Sequence, residues 1–218
     1  MLITFEGIEG CGKSTQARML YEWIREKGHN PLLSREPGSS PLGEKLRAIL
    51  LSRESGDISP LSELFLYLAD RAEHVQQLVK PALDEDRIVI IDRYVDSTLV
   101  YQGYGRGFEL PFLQQLNARA SCHVWPTLTF LLDLPPEKGL QRAKSRNVEN
   151  AVEIEEGRFE AESWKFHQKI RNGYLELARQ EQDRFVVLDA LEPAESVFES
   201  VKNSLQERLG GLYFESHS

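Results

Sequence analysis

Eight residues near the start of the chain, Gly7-Ile8-Glu9-Gly10-Cys11-Gly12-Lys13-Ser14, match the pattern G-x-x-x-x-G-K-[ST] in full. The chemistry that this spacing supports is phosphate binding. Glycines let successive backbone N–H groups turn inward around an anion, and a helix that starts at the lysine aims its positive end at the same point. Lys13 then reaches the outer phosphates of a nucleoside triphosphate, Ser14 offers a hydroxyl to Mg²⁺, and Thr15 adjoins them. The bland alternative is a glycine-rich turn that matches by accident. Against it stands the context, a strand-like run before the segment and a helix-like run after it. Asp92 closes the apolar run Ile88-Val89-Ile90-Ile91 and is the matching metal-side acid, unless it merely caps a strand. Arg93 beside it suits a place where an anion must be neutralised.

Three further constellations point to a second substrate. Arg35-Glu36-Pro37-Gly38 follows a short apolar run, although Pro and Gly alone would mark only a loop. Leu64, Leu68, Ala72, Val75 and Val79 form the stripe of a predicted helix, with Arg71 at its edge one turn after Tyr67. A guanidinium there needs a partner, either a protein carboxylate or the polar edge of a ligand. Tyr67 offers a ring suited to stacking on a base. The third constellation is Asp92-Arg93-Tyr94-Val95-Asp96-Ser97-Thr98, running into Tyr101-Gln102-Gly103-Tyr104-Gly105-Arg106-Gly107. It reads as a Gly-rich polar loop at the carboxyl end of a strand, where α/β sheets place their ligands. The Gln102 amide carries both a donor and an acceptor for a base edge.

Elements must hold these groups together, and the pattern supplies them. Short apolar runs alternate with amphipathic ones, the signature of βαβ units and a parallel sheet. Strands are predicted over 2–5, 31–34, 87–92, 128–133 and 184–189, and helices over 13–27, 42–51, 61–84, 110–120, 136–146, 159–182 and 193–208. The expected fold is α/β, a three-layer P-loop arrangement with a five-stranded parallel sheet flanked by helices, in one domain over 1–210. The Glu- and Asn-rich stretch 147–157 reads as part of a lid at about 142–158, and 211–218 as a flexible tail.

The 218 residues include 34 acidic against 26 basic, a net charge of −8. That argues against nucleic acid as a partner, since polyanion binding leaves a basic excess or stripe. No apolar run approaches the roughly 20 residues that cross a bilayer, so no membrane partner is expected. Nor does the start show a basic-then-apolar leader pattern. Cys11 and Cys122 lack metal-ligand spacing, as do the five histidines, and a reduced, cytoplasmic setting is expected. Trp23, Trp125 and Trp164 read as packing anchors.

The opening F-E-G-x-E-G-x-G-K-S-T, then R-E-P-G, A-D-R, D-R-Y-x-x-S and Y-Q-G-x-G-R-G, stand in the order found in bacterial thymidylate kinases. The chain resembles that family over nearly its whole length. The resemblance implies transfer of the ATP γ-phosphoryl group to dTMP, giving dTDP and ADP in dTTP biosynthesis, with Mg²⁺ required and a homodimer as the assembly. It implies ATP phosphates on residues 7–15, with Glu9 also near the acceptor's sugar hydroxyl. Tyr67 would stack on thymine where the family usually has Phe. Arg71, Thr98 and Gln102 would meet the base edge, and Tyr101 the deoxyribose. Arg35, Pro37 and Ser97 would face the acceptor, and Arg93 would bridge phosphates.

The loop carries Cys11 and no arginine, so further cationic help must come from elsewhere, and the resemblance to bacterial thymidylate kinases implies the lid. Arg142 and Arg146, with Lys144 between them and Arg158 further on, would join Lys13 and Arg93 as catalytic cations; losing such a clamp could cost ~10³-fold in rate. Two departures from the family stand out: Ser39-Ser40 replaces the commoner Gly-Thr, and the lid is longer and more acidic. A GTPase switch would need D-x-x-G after the acidic strand and N-K-x-D, and both are absent. The remaining alternatives are another P-loop nucleotide or deoxynucleoside kinase, the latter expected to show E-R-S, and a non-catalytic ATP-binding module.

Overall fold

Short apolar runs make five parallel strands, β1 (Leu2–Glu6), β2 (Leu32–Arg35), β3 (Val89–Asp92), β4 (Leu128–Asp133) and β5 (Phe185–Asp189), of which β1, β3 and β4 are buried on both faces. In the computed structural model they form one sheet in the order β2-β3-β1-β4-β5. The model describes residues 1–149, 158, 159 and 161–209, without the side chains of Arg53, Lys144, residues 146–149 and Leu209. Residues 150–157 of the expected lid, the expected tail 211–218 and the side chains of Lys144 and Arg146 therefore lie outside the described residues.

The period of two divides the core. Leu2, Val89 and Ile91 face one cluster with Val75, Val79 and Val95, while Ile3, Phe5 and Ile90 face the larger one with Leu20, Ile24, Leu113 and Ile170. Helices therefore cover both faces and three layers result. In register, Phe5 stands opposite Asp92, and Asp92 opposite Arg35. The carboxyl ends of the three strands nearest the phosphate loop are thus level, which gathers their side chains along one edge.

The helices are α1 (Lys13–Glu26), α2 (Pro41–Leu51), α3 (Pro60–His74), α4 (Lys80–Asp84), α5 (Val95–Thr98), α6 (Leu110–Ala120), α7 (Pro136–Glu149), α8 (Trp164–Gln180) and α9 (Ala194–Leu209). Three differ from expectation. The predicted helix 61–84 is interrupted by a π turn, Val75–Val79. Pro81 has no N–H to donate and its ring would strike the carbonyl of Gln77 in an unbroken α-helix, so the ladder shifts. The predicted Gly-rich loop is instead α5 continued by the π segment Leu99–Gly105. Its glycines serve packing: a Cβ on Gly103 would meet Leu110 at 2.6 Å, and one on Gly105 would meet Phe166 at 2.8 Å. Finally, α8 starts at Trp164 rather than 159, because the Ser163 hydroxyl accepts from Phe166 N and caps it. Trp23 packs against the core as expected, but Trp125 and Trp164 are 41% and 47% exposed and anchor nothing inside.

Candidate active site

The phosphate loop connects β1 to α1. Gly12 adopts a left-handed φ of 98°, which turns the backbone so that α1 begins at Lys13 without a side-chain cap. The loop is pressed from behind by α7. A Cβ on Gly10 would lie 2.1 Å from Gly139 O, and one on Gly139 2.5 Å from Glu9 O. Lys13 Nζ donates to Ile8 O at 2.8 Å, and burial pushes the Cys11 thiol up, away from the reactive thiolate. Ser14 and Thr15 are exposed at the first turn of α1. The Ser14 hydroxyl donates to Asp92 Oδ2, while Asp92 Oδ1 is buried with no partner among the described residues. That orphan oxygen beside a hydroxyl fits Mg²⁺, which takes one or two protein oxygens and completes its octahedron with phosphates and water. Among the described residues no three His, Cys, Asp or Glu converge to hold a metal by themselves.

Arg93 follows Asp92 with a left-handed φ of 67°, a strained conformation for a non-glycine residue of the kind found at functional sites. Its Nη1 donates to Gly7 O at 2.9 Å and its Nη2 to Glu9 Oε1 at 3.1 Å, and its guanidinium lies 5.1 Å from the centre of the Tyr101 ring. Glu9 also accepts from the Tyr101 hydroxyl, and His167 Nδ1 lies 3.5 Å from its Oε2. Burial alone would raise the Glu9 carboxyl. His167, Arg93, Lys13 and Tyr101 outweigh it and hold Glu9 well below the usual carboxylate range. Beneath them Glu6, the last residue of β1, is fully buried, and burial together with Asp96 pushes its carboxyl up to about 7.

The partner that Arg71 needed is a protein carboxylate. Glu36 Oε2 lies 2.9 Å from its Nε and 2.8 Å from its Nη2. Nη1 donates to Thr98 and Asn117, each at 2.7 Å, and Nη2 to Tyr94 O at 3.0 Å. Every nitrogen of the guanidinium thus has an acceptor, so any hydrogen bond to a base is shared with one of them. His74 flanks the other side of Glu36 at 2.9 Å. Gln102 Nε2 donates to Glu63 Oε1 at 3.0 Å, a buried carboxylate that also takes Arg106 and Arg158. Asp70, pushed up to about 6 by burial and by Glu36, completes this acidic floor.

One cleft joins the phosphate loop to the Arg71 and Gln102 side, while Glu6, Glu63, Asp70, His74 and His167 lie behind its lining. Glu9, Gly10, Lys13, Ser14 and Asp92 line its phosphate end. Arg35, Pro37, Tyr67, Arg71, Arg93, Ser97, Thr98, Tyr101 and Gln102 line the remainder, with Glu36, Arg47, Leu51, Tyr94 and Phe159. The family model described as thymidylate kinase matches residues 5–201, nearly all of this framework. The chain belongs to the thymidylate kinase family. Thymidylate kinases of Maridesulfovibrio salexigens and Nitratidesulfovibrio vulgaris are 51% and 52% identical to it, over 97% of this chain and 97% and 95% of theirs. The crystal structure of thymidylate kinase from Ehrlichia chaffeensis superposes with a TM-score of 0.75 at 33% identity, covering 94% of this chain and 98% of that one.

Within this family framework, the expected lid cations part company. Arg142 does not line the cleft; its Nη1 donates to Ala190 O at 2.8 Å, beyond β5. Arg158 is held by Leu50 O at 2.6 Å and by Glu63. Sequence reasoning missed Glu6, Glu36, Glu63, His167 and Phe159. Glu6 and Glu36 had a signal, one at a strand end and one in a quoted motif, where an unpaired carboxylate would be costly, whereas Glu63 lies off the predicted apolar stripe of its helix. His167 and Phe159 had none, because their places depend on how α8 and the turn before it pack on the rest of the chain.

Proposed function

We propose that the chain transfers the γ-phosphoryl group of ATP to dTMP, giving dTDP and ADP as a step in dTTP biosynthesis. The observation that carries this is the single cleft lined at one end by the phosphate loop and Asp92 and over the rest by the acceptor-side residues. ATP phosphates rest on residues 7–15, with Lys13 on the outer ones. Asp92 and Ser14 would hold Mg²⁺, which withdraws charge from the phosphate oxygens when bound. An acceptor phosphate oxygen attacks the γ-phosphorus while the bond to the β-phosphate oxygen breaks; a phosphate dianion needs no proton removed. Rate then comes from alignment and charge neutralisation. Arg93, held between Gly7 O and Glu9 at the junction of the two substrates, bridges their phosphates.

On the acceptor side, Tyr67 supplies the stacking face, and Tyr101, fixed by Glu9, packs against the deoxyribose. Arg71, Thr98 and Gln102 shape the base end, with Arg35, Pro37 and Ser97 nearer the phosphate. Arg142 and Arg146, one turn apart on the helix that presses on the loop, remain the lid cations of this reading. The chain works as a homodimer in the cytoplasm. Leu42 and Ile49 of α2, Leu61 and Phe65 of α3 and Phe112 of α6 are all at least 40% exposed on helices that pack side by side. Both cysteines are free, and no helix among the described residues is long and apolar enough to cross a membrane.

The test is to incubate the protein with Mg·ATP and each nucleoside monophosphate and deoxynucleoside in turn, and to measure product. dTMP should be the best acceptor. A better deoxynucleoside acceptor would make the chain a nucleoside kinase, and ATP binding without turnover would make it a regulatory module.

A further inference from the structure

We propose that Glu6 is the positioning residue for Arg93, acting through the hydroxyls of Ser97 and Tyr174 and the backbone that carries Arg93. The proposal rests on the reading of Arg93 as a phosphate-bridging cation.

Among the described residues Glu6 is a buried carboxylate with no ion pair of its own in hydrogen-bond contact, an arrangement that costs folding energy unless its oxygens are filled. They are filled. Oε1 accepts from Tyr94 N at 2.7 Å and Ser97 N at 3.3 Å; Oε2 accepts from Ser97 Oγ at 2.7 Å and Tyr174 Oη at 2.8 Å. Either hydroxyl that donates to this oxygen turns its lone pairs outward. Arg93 Nη1 meets those lone pairs, 3.4 Å from Ser97 Oγ and 3.3 Å from Tyr174 Oη. The two hydroxyls lie 2.9 Å apart, within hydrogen-bond distance of each other, so Glu6, Ser97 and Tyr174 form one network beneath Arg93.

The backbone makes the same link. Arg93 keeps its left-handed φ because both sides of it are tied down. Its own N–H donates to Phe5 O at 3.0 Å, and the next N–H, that of Tyr94, donates to Glu6. Two consecutive residues of β1, Phe5 and Glu6, therefore set both the peptide and the side chain of Arg93. Gly7 O, the next residue on, takes its Nη1 at 2.9 Å. A glutamine at position 6 would keep the shape and reverse half the polarity. Its NH₂ must donate, so one hydroxyl turns round and points its proton at the guanidinium.

The experiment is a double-mutant cycle on kcat for dTMP phosphorylation, with Glu6→Gln, Arg93→Ala and both together. Glu6→Gln should lower kcat by about 30–100-fold, the scale of a small misplacement, with KM for ATP within about 3-fold of the parent. Arg93→Ala should lower it by ~10³-fold or more. The double variant should then be no worse than Arg93→Ala alone, within about 2-fold, because Glu6 acts through that side chain. Losses that multiply overturn the Glu6 assignment and leave the Arg93 reading intact. An Arg93→Ala enzyme with unchanged kcat overturns the Arg93 reading itself. Tyr174→Phe, which keeps the buried ring and removes only the hydroxyl, should lose about 10-fold in kcat and should also lose nothing further on Arg93→Ala. Unchanged kcat in that variant overturns the relay even where Glu6→Gln does not fold.

Discussion

Arg71 first of all neutralises Glu36, since both are buried and the pair is closed by Thr98, Asn117 and Tyr94 O. Removing one member leaves the other charge in a low-dielectric floor. Arg71→Met should therefore cost about 3–5 kcal/mol in urea unfolding, and Glu36→Gln added to it should recover part of the loss. A loss confined to KM for dTMP, with stability unchanged, would make Arg71 a ligand contact alone. Asp70 next to this pair carries a pH signature. Its folded value of about 6 stands above the ordinary 3.8, so the native state binds the proton more tightly than the unfolded chain. Its contribution is favourable below about pH 4 and is lost as pH rises through 6, by about 3 kcal/mol. Asp70→Asn, which keeps an acceptor for Gly38 N, should flatten that decline between pH 4.5 and 7; an equally steep decline would remove Asp70 as its source. At this scale the sequence pointed to part of the cleft lining, such as Glu9, Lys13, Tyr67, Arg93 and Gln102, because motifs keep those residues a few positions apart, but not to Arg47, Leu51 or Phe159. It did not show that Arg71 is paired, because Glu36 lies 35 positions away on another element.

At the scale of elements, the contact between α7 and the loop is glycine against backbone on both sides. A methyl on Gly139 meets Glu9 O, which has no room to move, so α7 must shift away. Gly139→Ala should cost about 1–3 kcal/mol and raise KM for ATP by roughly 10-fold, while KM for dTMP stays near the parent. Equal increases in both constants would mean that the helix supports the whole cleft. The five strands were legible because buried parallel strands read as unbroken apolar runs. The helical character of 95–105 was not, because Gly103 and Gly105 look like turn residues. Only the packed neighbours, Leu110, Leu113, Phe166 and Ile170, show that they make room for side chains.

For the whole molecule, the proposed dimer would cover the exposed apolar side chains of α2, α3 and α6. Light scattering should give twice the 25.0 kDa chain mass, and Phe65→Glu should halve it. A parent protein that is monomeric at assay concentration would overturn the dimer. The sheet order has a further consequence, for synthesis. β1 lies between β3 and β4, so the first strand translated waits for partners that are translated much later. At about 5–20 residues per second, the 83 residues from Glu6 to Val89 take roughly 4–17 s. Throughout that interval Leu2, Ile3 and Phe5 have no sheet to enter. The apolar side chains of β1 must therefore be kept from other chains until β3 and β4 have been made, and a chaperone that covers them over that interval should raise the yield of folded protein.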